Sequence, residues 1–223
     1  SAGAALAARL TESGRYRVLL LEAGDRDRNV WIHIPLGVGK LLTNERYVWP
    51  FRSEPQPHMR GLQIYSPRGR VLGGSSAVNG MAYVWGDPAI FNRWAQDGLP
   101  DWGWADVQPY FRKLEANDYS RQEARGKKGP MRITDLGQRM PDPLSDAFIA
   151  GFQELGVEKT PDYNAVSYEG VRYLEQTAHN GRRWSTAVGY LRDAEKRRNL
   201  SVLTKARVRR VVFEGKRAVG VEY

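Results

Sequence analysis

The chain has 223 residues, 41% of them apolar, with 23 glycines, no cysteine and a formal net charge of +9. This length fits one large domain or two small ones, and the apolar and glycine content excludes a disordered chain and a coiled coil. The absence of cysteine excludes disulfides, thiolate metal sites and a cysteine nucleophile, whereas the positive charge keeps nucleic acid among the partner classes to weigh.

The first predicted elements are a helix and a buried strand. Residues 4–12 carry Leu6 and Leu10 on one side among strong helix formers. Residues 17–22 form a near-continuous apolar run, which is typical of a strand covered on both faces in a parallel sheet. Helix followed by buried strand is the second half of a βαβ unit. Because the chain starts at Ser1 with a helix, and with neither a strand nor a signal peptide, we expect a fragment that lacks the first strand of that unit.

The rest of the chain alternates irregular and regular segments. Residues 25–68 have no period but hold several prolines and aromatic residues, which predicts a segment packed over another part of the fold. Residues 69–86 are glycine-rich and almost uncharged. The other predictions are helices over 106–116 (capped by Asp106), 143–155 and about 185–196, a charged loop over 117–130, and a strand and hairpin within 201–223. No apolar run approaches the ~20 residues that cross a bilayer.

Glu22 is the first candidate for binding chemistry, because it ends the predicted buried strand. In dinucleotide-binding βαβ units an acidic residue at this place binds the ribose hydroxyls. A carboxylate suits a diol because it offers several lone pairs and no donor. Of the glycine loop that such a unit requires, the chain contains only Ser1, Ala2 and Gly3. The alternative is a solvated glutamate at the end of a strand.

The glycine-rich segment is the second candidate. Gly73 and Gly74, followed by Ser75 and Ser76, permit backbone conformations and close approaches that larger residues forbid. Exposed backbone N–H groups in such a segment can hold a pyrophosphate or the polar edge of a ring. A tight turn between two core segments would show the same composition, so composition alone leaves both interpretations open.

The segment RGRVLGGSSAVNGMAYVWG resembles the signature of the glucose–methanol–choline (GMC) flavoprotein oxidoreductases. The positions that fit the signature are Gly69, Arg70, Leu72, Gly73, Gly74, Ser75, Ser76, Val78, Asn79, Tyr83 and Gly86. Four other parts of the chain resemble the same family. They are the N-terminal residues through LLEAG, the segment YVWPFRSEPQP, the segment GRRWSTAVGYL and the closing VRRVVFEGKRAVGVEY. The resemblance spans nearly the whole chain, is weakest over 117–145, and is closest to the bacterial branch similar to choline dehydrogenase.

This resemblance implies an α/β fold built on a Rossmann-like FAD-binding domain whose first strand is missing, with the beginning of a smaller α+β substrate domain. We expect the FAD-binding domain over 1–134, with 25–68 covering the flavin. The substrate domain would begin over 135–195, and 196–223 would return to the FAD-binding domain.

The resemblance also assigns roles in binding FAD. Glu22 would bind the adenosine ribose, with Ala23 and Gly24 shaping the turn that follows. The segment expected along the pyrophosphate is Arg70, Val71, Leu72, Gly73 and Gly74, together with Ser1, Ala2 and Gly3. The residues expected to face the isoalloxazine are Asn79, Gly80, Met81 and Ala82. Val208 would contact adenine through its main chain, and Trp49 lies in the covering segment. Some relatives attach the flavin to a histidine where this chain has Val78, so we expect non-covalent FAD.

By resemblance, the function is FAD-dependent oxidation of an alcohol by hydride transfer, with electrons passed on to a quinone, a cytochrome or oxygen. The family's histidine base lies near the C-terminus, beyond Tyr223, so no catalytic residue and no metal ligand is expected in this fragment. His33, His58 and His179 are expected to be surface, packing or loop residues. Membrane association would arise only through the acceptor, and the bacterial cytoplasm or the inner-membrane face is the expected location.

Two other functions remain open. A hydroxynitrile lyase built on the same scaffold would hold FAD as a structural group. A basic nucleic-acid-binding module would use the cations clustered at 121–132, 192–198 and 205–217, but these lack the glycine–aromatic and helix-turn-helix patterns of such modules. We therefore interpret the basic surplus as solvated surface and expect no nucleic-acid partner.

Overall fold

The computed structural model describes all residues, 1–223, and divides them into two compact units. The first unit comprises Ser1–Gly80 and Gly181–Tyr223, and the second comprises Met81–Asn180. The compact units divide after Gly80 and Asn180, whereas we expect domain boundaries after residues 134 and 195. The assignment of an FAD-binding domain and a substrate domain with those boundaries remains a prediction. No helix is long and apolar enough to span a membrane.

The regular elements are short helices and strands. The helices are α1 (Ala2–Glu12), α2 (Val30–His33), α3 (Val38–Leu41), α4 (Pro88–Gln96), α5 (Trp104–Leu114), α6 (Leu136–Arg139), α7 (Pro143–Glu154) and α8 (Arg192–Ala194). The strands are β1 (Val18–Glu22), β2 (Val48–Trp49), β3 (Arg68–Gly69), β4 (Glu115–Asn117), β5 (Met131–Asp135), β6 (Glu175–Gln176), β7 (Ala178–His179), β8 (Arg182–Arg183), β9 (Leu200–Thr204), β10 (Arg210–Glu214) and β11 (Arg217–Glu222). Short 3-10 turns cover Pro35–Gly37, Pro57–Met59, Gly74–Ala77 and Pro100–Trp102, and a π-helical turn, Ala187–Leu191, precedes α8.

The first unit is organised around the pair β1 and β9, which run parallel with Val18 opposite Leu200 and Glu22 opposite Thr204. Helix α1 packs on this pair through Ala4, Ala7 and Ala8. These small side chains allow the helix backbone to approach closely, and the larger Leu6 and Leu10 lie on its exposed side, 60% and 39% accessible. The predicted helix and strand are therefore confirmed, but the leucines that marked the helix do not form its buried face.

The expectation that β1 is buried on both faces is wrong for the structure described. Leu20 packs against the core beneath α1, whereas Leu19, which points to the opposite face, is 53% exposed. The physical reason is that α1 covers one face of β1 and β9 pairs with one edge, while Leu19 finds no comparable cover.

A second core in the same unit holds the glycine-rich segment in place. Val71, Ala77 and Val78 are buried with Ile32 and Val48 from the irregular segment 25–68. The prediction that residues 25–68 pack over another part of the fold is thereby confirmed. The tail forms the predicted hairpin, with Arg210 opposite Glu222.

The second unit contains the three-stranded sheet β4-β5-β6, in which β4 is parallel and β6 antiparallel to β5. Rings of Trp85, Phe91, Trp104 and Phe111 pack together beside this sheet, with centroids 5.5–6.2 Å apart. The helix predicted at 106–116 is α5, which begins after Gly103, so Asp106 lies in its first turn and is not its N-cap. The helix predicted at 143–155 is α7, capped by Asp142.

A buried ion cluster ties the second unit together. Arg125 is 1% exposed and donates to Glu115 at 2.9 Å, Asp162 at 2.8 Å and Glu175 at 2.7 Å, and its guanidinium carbon lies 5.2 Å from the Trp85 ring centre. Burial alone would lower the pKa of Arg125, but hydrogen bonds to the carboxylates of Glu115 and Glu175 raise it above its ordinary value. Of the predicted loop 117–130, Asn117 ends β4 and residues 118–130 form a loop, but Arg125 within it is a core residue.

Candidate functional site

The carboxyl end of β1 presents Glu22, Ala23 and Gly24. Glu22 Oε1 accepts a hydrogen bond from the Gly24 backbone N–H at 2.8 Å, so the carboxylate folds back over the turn. Burial raises the pKa of the Glu22 carboxyl, and the Gly24 amide opposes that shift. Lys205 N–H donates to the Gly24 carbonyl at 2.8 Å and Ala206 N–H to the Glu22 carbonyl at 3.0 Å, which carries the chain after β9 alongside this turn.

The glycine-rich segment meets the same turn through backbone contacts. Leu72 N–H donates to the Asp25 carbonyl at 2.9 Å. A Cβ added to Gly24 would lie 2.0 Å from the Arg70 carbonyl oxygen, far inside van der Waals contact. Gly24 is therefore required by the close approach of two backbones, and this approach brings Glu22 and Arg70 to one side of the unit.

Beyond Arg70 the chain turns sharply through Gly73 and Gly74, whose φ angles are +93° and +60°. Ser1, the N-cap residue of α1, lies at this turn, since its hydroxyl donates to the Gly73 carbonyl at 3.4 Å and accepts from the Ser76 N–H at 3.1 Å. Ser1 thus meets the glycine turn, whereas the role of Ser1, Ala2 and Gly3 in a phosphate loop remains a prediction. Val71 and Leu72 are buried, so any ligand contact they make is through their backbone.

A cavity of about 330 Å³ opens beside the end of β1. Its lining combines expected and unexpected residues: Leu21, Ala23, Trp49, Phe51, Ala206, Arg207 and Val208. Trp49 and Phe51 are stacked, with ring centres 6.3 Å apart, and their aromatic faces with aliphatic neighbours suit a flat base such as adenine.

A second cavity, of about 440 Å³, shares Ala23 and Arg207 with the first. Its other lining residues are the cations Arg46, Arg70 and Lys205, with Gly24 and Asp25. Arg70 has a buried Nε without a hydrogen-bond acceptor, and its guanidinium carbon lies 4.8 Å from the Trp49 ring centre. An unsatisfied buried guanidinium N–H in a cationic cleft calls for an anionic ligand, and a pyrophosphate provides one. The residues present therefore fit the ADP half of FAD.

Sequence reasoning missed the cationic and aromatic neighbours in these two cavities: Arg46, Phe51, Lys205 and Arg207. Lys205 and Arg207 are exposed, as the interpretation of the basic cluster at 205–217 as solvated surface predicts, but that interpretation gives them no place at a cavity. Lys205 and Arg207 line the cationic cavity, because the chain after β9 returns beside Gly24.

The four residues expected at the isoalloxazine are consecutive in the chain. Asn79 and Gly80 belong to the first unit, and Met81 and Ala82 begin the second. In the first unit Asn79 and Gly80 are exposed, and Asn79 N–H donates to the Ser75 carbonyl at 2.9 Å. In the second unit Met81 is buried and its carbonyl accepts from Thr177 N–H at 2.9 Å, while Ala82 bridges to Gln176 of β6.

Met81 has a strained backbone. Its φ angle is +65°, a left-handed conformation that a non-glycine residue rarely adopts. Such strain persists only where surrounding structure enforces it, and it concentrates at functional sites. Here the bond from Thr177 and the pairing of Ala82 with β6 fix the backbone on the C-terminal side.

The three histidines have different local surroundings. His33 is hydrogen-bonded to the Asp27 carbonyl at 2.7 Å, His58 lies in the exposed turn Pro57–Met59, and His179 ends the short strand β7. No group of three or more His, Cys, Asp and Glu side chains is arranged to hold a metal ion.

Comparison with known proteins gives one consistent family. The family model described as GMC oxidoreductase matches residues 10–223. An oxygen-dependent choline dehydrogenase of Brucella melitensis is 46% identical over 222 residues, which is 100% of this chain and 40% of that protein. One of the same name from Rhizobium etli is 42% identical over the same share of each. The chain thus spans about two fifths of the length of the curated relatives it matches.

Solved structures show the same fold. Pyridoxine 4-oxidase from Mesorbium loti superposes with a TM-score of 0.92 at 34% identity, covering 99% of this chain and 43% of that one. An FAD-dependent oxidoreductase from Chaetomium thermophilum superposes with a TM-score of 0.85 at 28% identity, covering 98% and 39%.

Proposed function

Because this chain belongs to the GMC oxidoreductase family and FAD is its cofactor, we propose that it is the FAD-binding part of an enzyme that oxidises an alcohol. The observation that carries the proposal is the convergence at the end of β1. There Glu22, the aromatic cavity around Trp49 and the cationic cavity around Arg70 adjoin one another. A ribose, a base and a pyrophosphate require these three chemistries in this neighbourhood.

In this proposal each part of the ADP moiety has its own residues. Glu22 accepts hydrogen bonds from the ribose hydroxyls, and the base lies between Ala23, Trp49 and the Val208 backbone. Arg70 and the N–H groups around Gly73 and Gly74 bind the pyrophosphate, aided by the positive end of α1 where Ser1 meets the glycine turn.

The bound FAD supplies the redox chemistry, accepting a hydride from the alcohol carbon. Asn79 and Gly80, with the backbones of Met81 and Ala82, orient the isoalloxazine. Val78 is buried and lacks a nucleophilic atom, so the chain holds FAD without a covalent bond there. We place the base that takes the hydroxyl proton outside these 223 residues, because His33 is engaged by a backbone carbonyl and His58 lies in an exposed turn.

The finer features of the fold belong to the same proposal. The parallel pair β1 and β9, covered by α1, is interpreted as part of a Rossmann-like sheet whose first strand precedes Ser1 in the longer protein. The length of the relatives supports a longer protein, since this chain matches only 40% of the Brucella melitensis enzyme. That relative's name favours oxygen as electron acceptor, with a quinone or cytochrome as the other classes.

The function is tested on the full-length protein under anaerobic conditions. We expect a primary alcohol such as choline to bleach the visible absorbance of the bound flavin, and admission of air or an electron-accepting dye to restore it. A flavin that stays oxidised under a panel of alcohols would favour the lyase. DNA binding with a steep salt dependence and no bound flavin would favour the nucleic-acid module.

Replacement of Glu22 tests the ribose contact. Glu22→Ala is expected to weaken FAD binding by about 1–3 kcal/mol, because a hydrogen bond to a charged group is lost. Turnover at saturating FAD should change little, since the ribose is remote from the reacting ring. The measurement is fluorescence titration of the apoprotein with FAD. Glu12→Ala, an exposed glutamate at the far end of α1, is the matched control. Equal FAD affinity in both variants would remove Glu22 from the site.

A further inference from the structure

Arg207 is a cation that lines both the aromatic and the cationic cavity at the end of β1. Its guanidinium carbon lies 5.1 Å from the ring centre of Trp49, the same indole on which Arg70 lies. The proposed function gives roles to Trp49 and Arg70 but none to Arg207. One side chain is thus placed where the base and the phosphates of a single ligand would meet.

The backbone that leads into Arg207 is fixed at the end of β1. Lys205 N–H donates to the Gly24 carbonyl at 2.8 Å, and Ala206 N–H donates to the Glu22 carbonyl at 3.0 Å. Lys205 has a φ angle of +61°, and a non-glycine residue stays in this left-handed region only where its surroundings hold it there. Ala206 is buried and Arg207 is exposed. The fold therefore holds this backbone and leaves the Arg207 guanidinium accessible to a ligand.

The cationic cavity has more positive charge than the phosphates of FAD neutralise. Its lining has four cations and one carboxylate, that of Asp25, which gives a net charge of +3. Asp25 Oδ2 lies 3.6 Å from Lys205 Nζ and 3.7 Å from Arg46 Nη2, whereas Arg70 and Arg207 lie against an indole. Two guanidinium groups of like charge are therefore held at one aromatic ring, and an anionic ligand would offset their repulsion.

A free nucleoside diphosphate matches this charge more closely than FAD does. Both phosphates of FAD are esterified at each end, so each carries a single negative charge. The terminal phosphate of a free nucleotide is a monoester, with a charge of about −1.5 to −2 near pH 7. A cleft lined by charge of one sign attracts the more highly charged ligand more strongly.

The contacts available to such a nucleotide do not depend on a flavin ring. The aromatic cavity offers Trp49 and Phe51 to a base, and the cationic cavity offers Arg70 and Lys205 to phosphates. Because the two cavities share Arg207, a ligand as short as ADP can occupy both at once. The ADP moiety therefore has a complete set of partners of its own.

Resting on the proposed function, we propose that the apoprotein also binds free adenine nucleotides, ADP above all, at the place of the ADP moiety of FAD. Arg207 couples the two halves of this ligand: the plane of its guanidinium stacks on the base, and its N–H groups donate to the phosphates. Free ADP competes with FAD, so loading of the cofactor depends on the concentration of adenine nucleotide.

The test uses the full-length protein after removal of FAD and measures ADP binding by isothermal titration calorimetry. FAD titrations, followed by flavin fluorescence, are repeated at rising concentrations of ADP. We expect ADP to bind and to raise the apparent dissociation constant of FAD in proportion to its concentration. Adenosine and inorganic pyrophosphate, which each occupy one cavity, should compete far more weakly, because joining the two parts makes the second contact intramolecular.

Substitution of Arg207 tests the coupling of base and phosphates. Arg207→Met should weaken ADP binding roughly 10- to 100-fold, the range for a lost hydrogen bond to a charged group, and should affect adenosine much less. Arg207→Lys keeps the charge but not the planar fork of donors, so its affinity for ADP should lie between those of the wild type and Arg207→Met. Arg198→Met removes an exposed arginine that precedes β9, at the other end of that strand, and should leave ADP binding unchanged.

Two results would overturn the inference and leave the proposed function intact. One is FAD binding that millimolar ADP does not weaken, and the other is equal ADP affinity in Arg207→Met and Arg198→Met. If circular dichroism shows that Arg207→Met is unfolded, the lysine variant decides in its place. A wild-type protein that binds ADP but not FAD would support the nucleotide site and contradict the proposed function, and one that binds neither would contradict both.

Discussion

Replacing Arg125 with methionine is expected to lower the free energy of unfolding by about 3–5 kcal/mol, the typical cost of removing one partner from a buried ion pair. Glu115, Asp162 and Glu175 are each at most 2% exposed, and all would lose their shared cation. Those carboxylates would have to take up protons or admit water, and either change disrupts the sheet β4-β5-β6, whose outer strands carry Glu115 and Glu175.

Urea unfolding, followed by circular dichroism, measures this loss. Arg121→Met removes an exposed arginine from the same loop and should change stability by less than about 0.5 kcal/mol, as ordinary surface substitutions do. Arg125→Lys keeps the charge but cannot reach three carboxylates at once, so its loss should lie between the two. Arg125→Met and Arg121→Met with equal stability would show that the cluster contributes nothing beyond its packing.

Gly24→Ala is expected to abolish tight FAD binding. The added Cβ would lie 2.0 Å from the Arg70 carbonyl oxygen, 2.3 Å from its carbon and 2.7 Å from Val71 N, all backbone atoms that cannot turn aside. The turn after β1 must then move away from the segment at Arg70, which separates Glu22 from the cationic cavity. The cost should reach or exceed the upper end of the ~1–3 kcal/mol typical of overpacked sites.

FAD titration of the purified variant, together with its thermal unfolding, checks this expectation. Gly39→Ala is the matched control, because a Cβ on Gly39 in α3 meets no atom within 4 Å, and it should bind FAD normally. If Gly24→Ala binds FAD as tightly as Gly39→Ala, the approach of the two backbones is not needed for the site.

Local patterns were sufficient to predict α1, β1, α5, α7 and the final hairpin, because periodicity and turn residues act over short distances in the chain. The resemblance in the glycine-rich segment supplied the family, and the matching family model confirms it. The binding roles given to Glu22, Arg70 and Asn79 remain predictions, although Glu22 is hydrogen-bonded to Gly24, which lines the same cavity as Arg70.

What the sequence could not reveal depends on contacts between distant residues. Arg125 looked like one charge among many in a polar loop, and only the fold brings Asp162 and Glu175 to it. Arg183 is buried but stands next to the exposed Arg182 and cannot be distinguished from it by composition. Lys205 and Arg207 are exposed as predicted, but nothing local in the sequence indicates that the chain after β9 passes Gly24 and brings them to the cationic cavity.

The indole of Trp49 already holds two of the cations that the proposed nucleotide site would use. The guanidinium carbons of Arg70 and Arg207 lie 4.8 Å and 5.1 Å from its ring centre, so both side chains are already held beside the cavity. Ordering a long side chain on binding costs about 0.5–1.5 kcal/mol, and here the indole restricts both arginines while the chain folds. If FAD binds there as we propose, it would meet these cations in a narrow range of rotamers, and its base and phosphates would replace contacts of a similar kind.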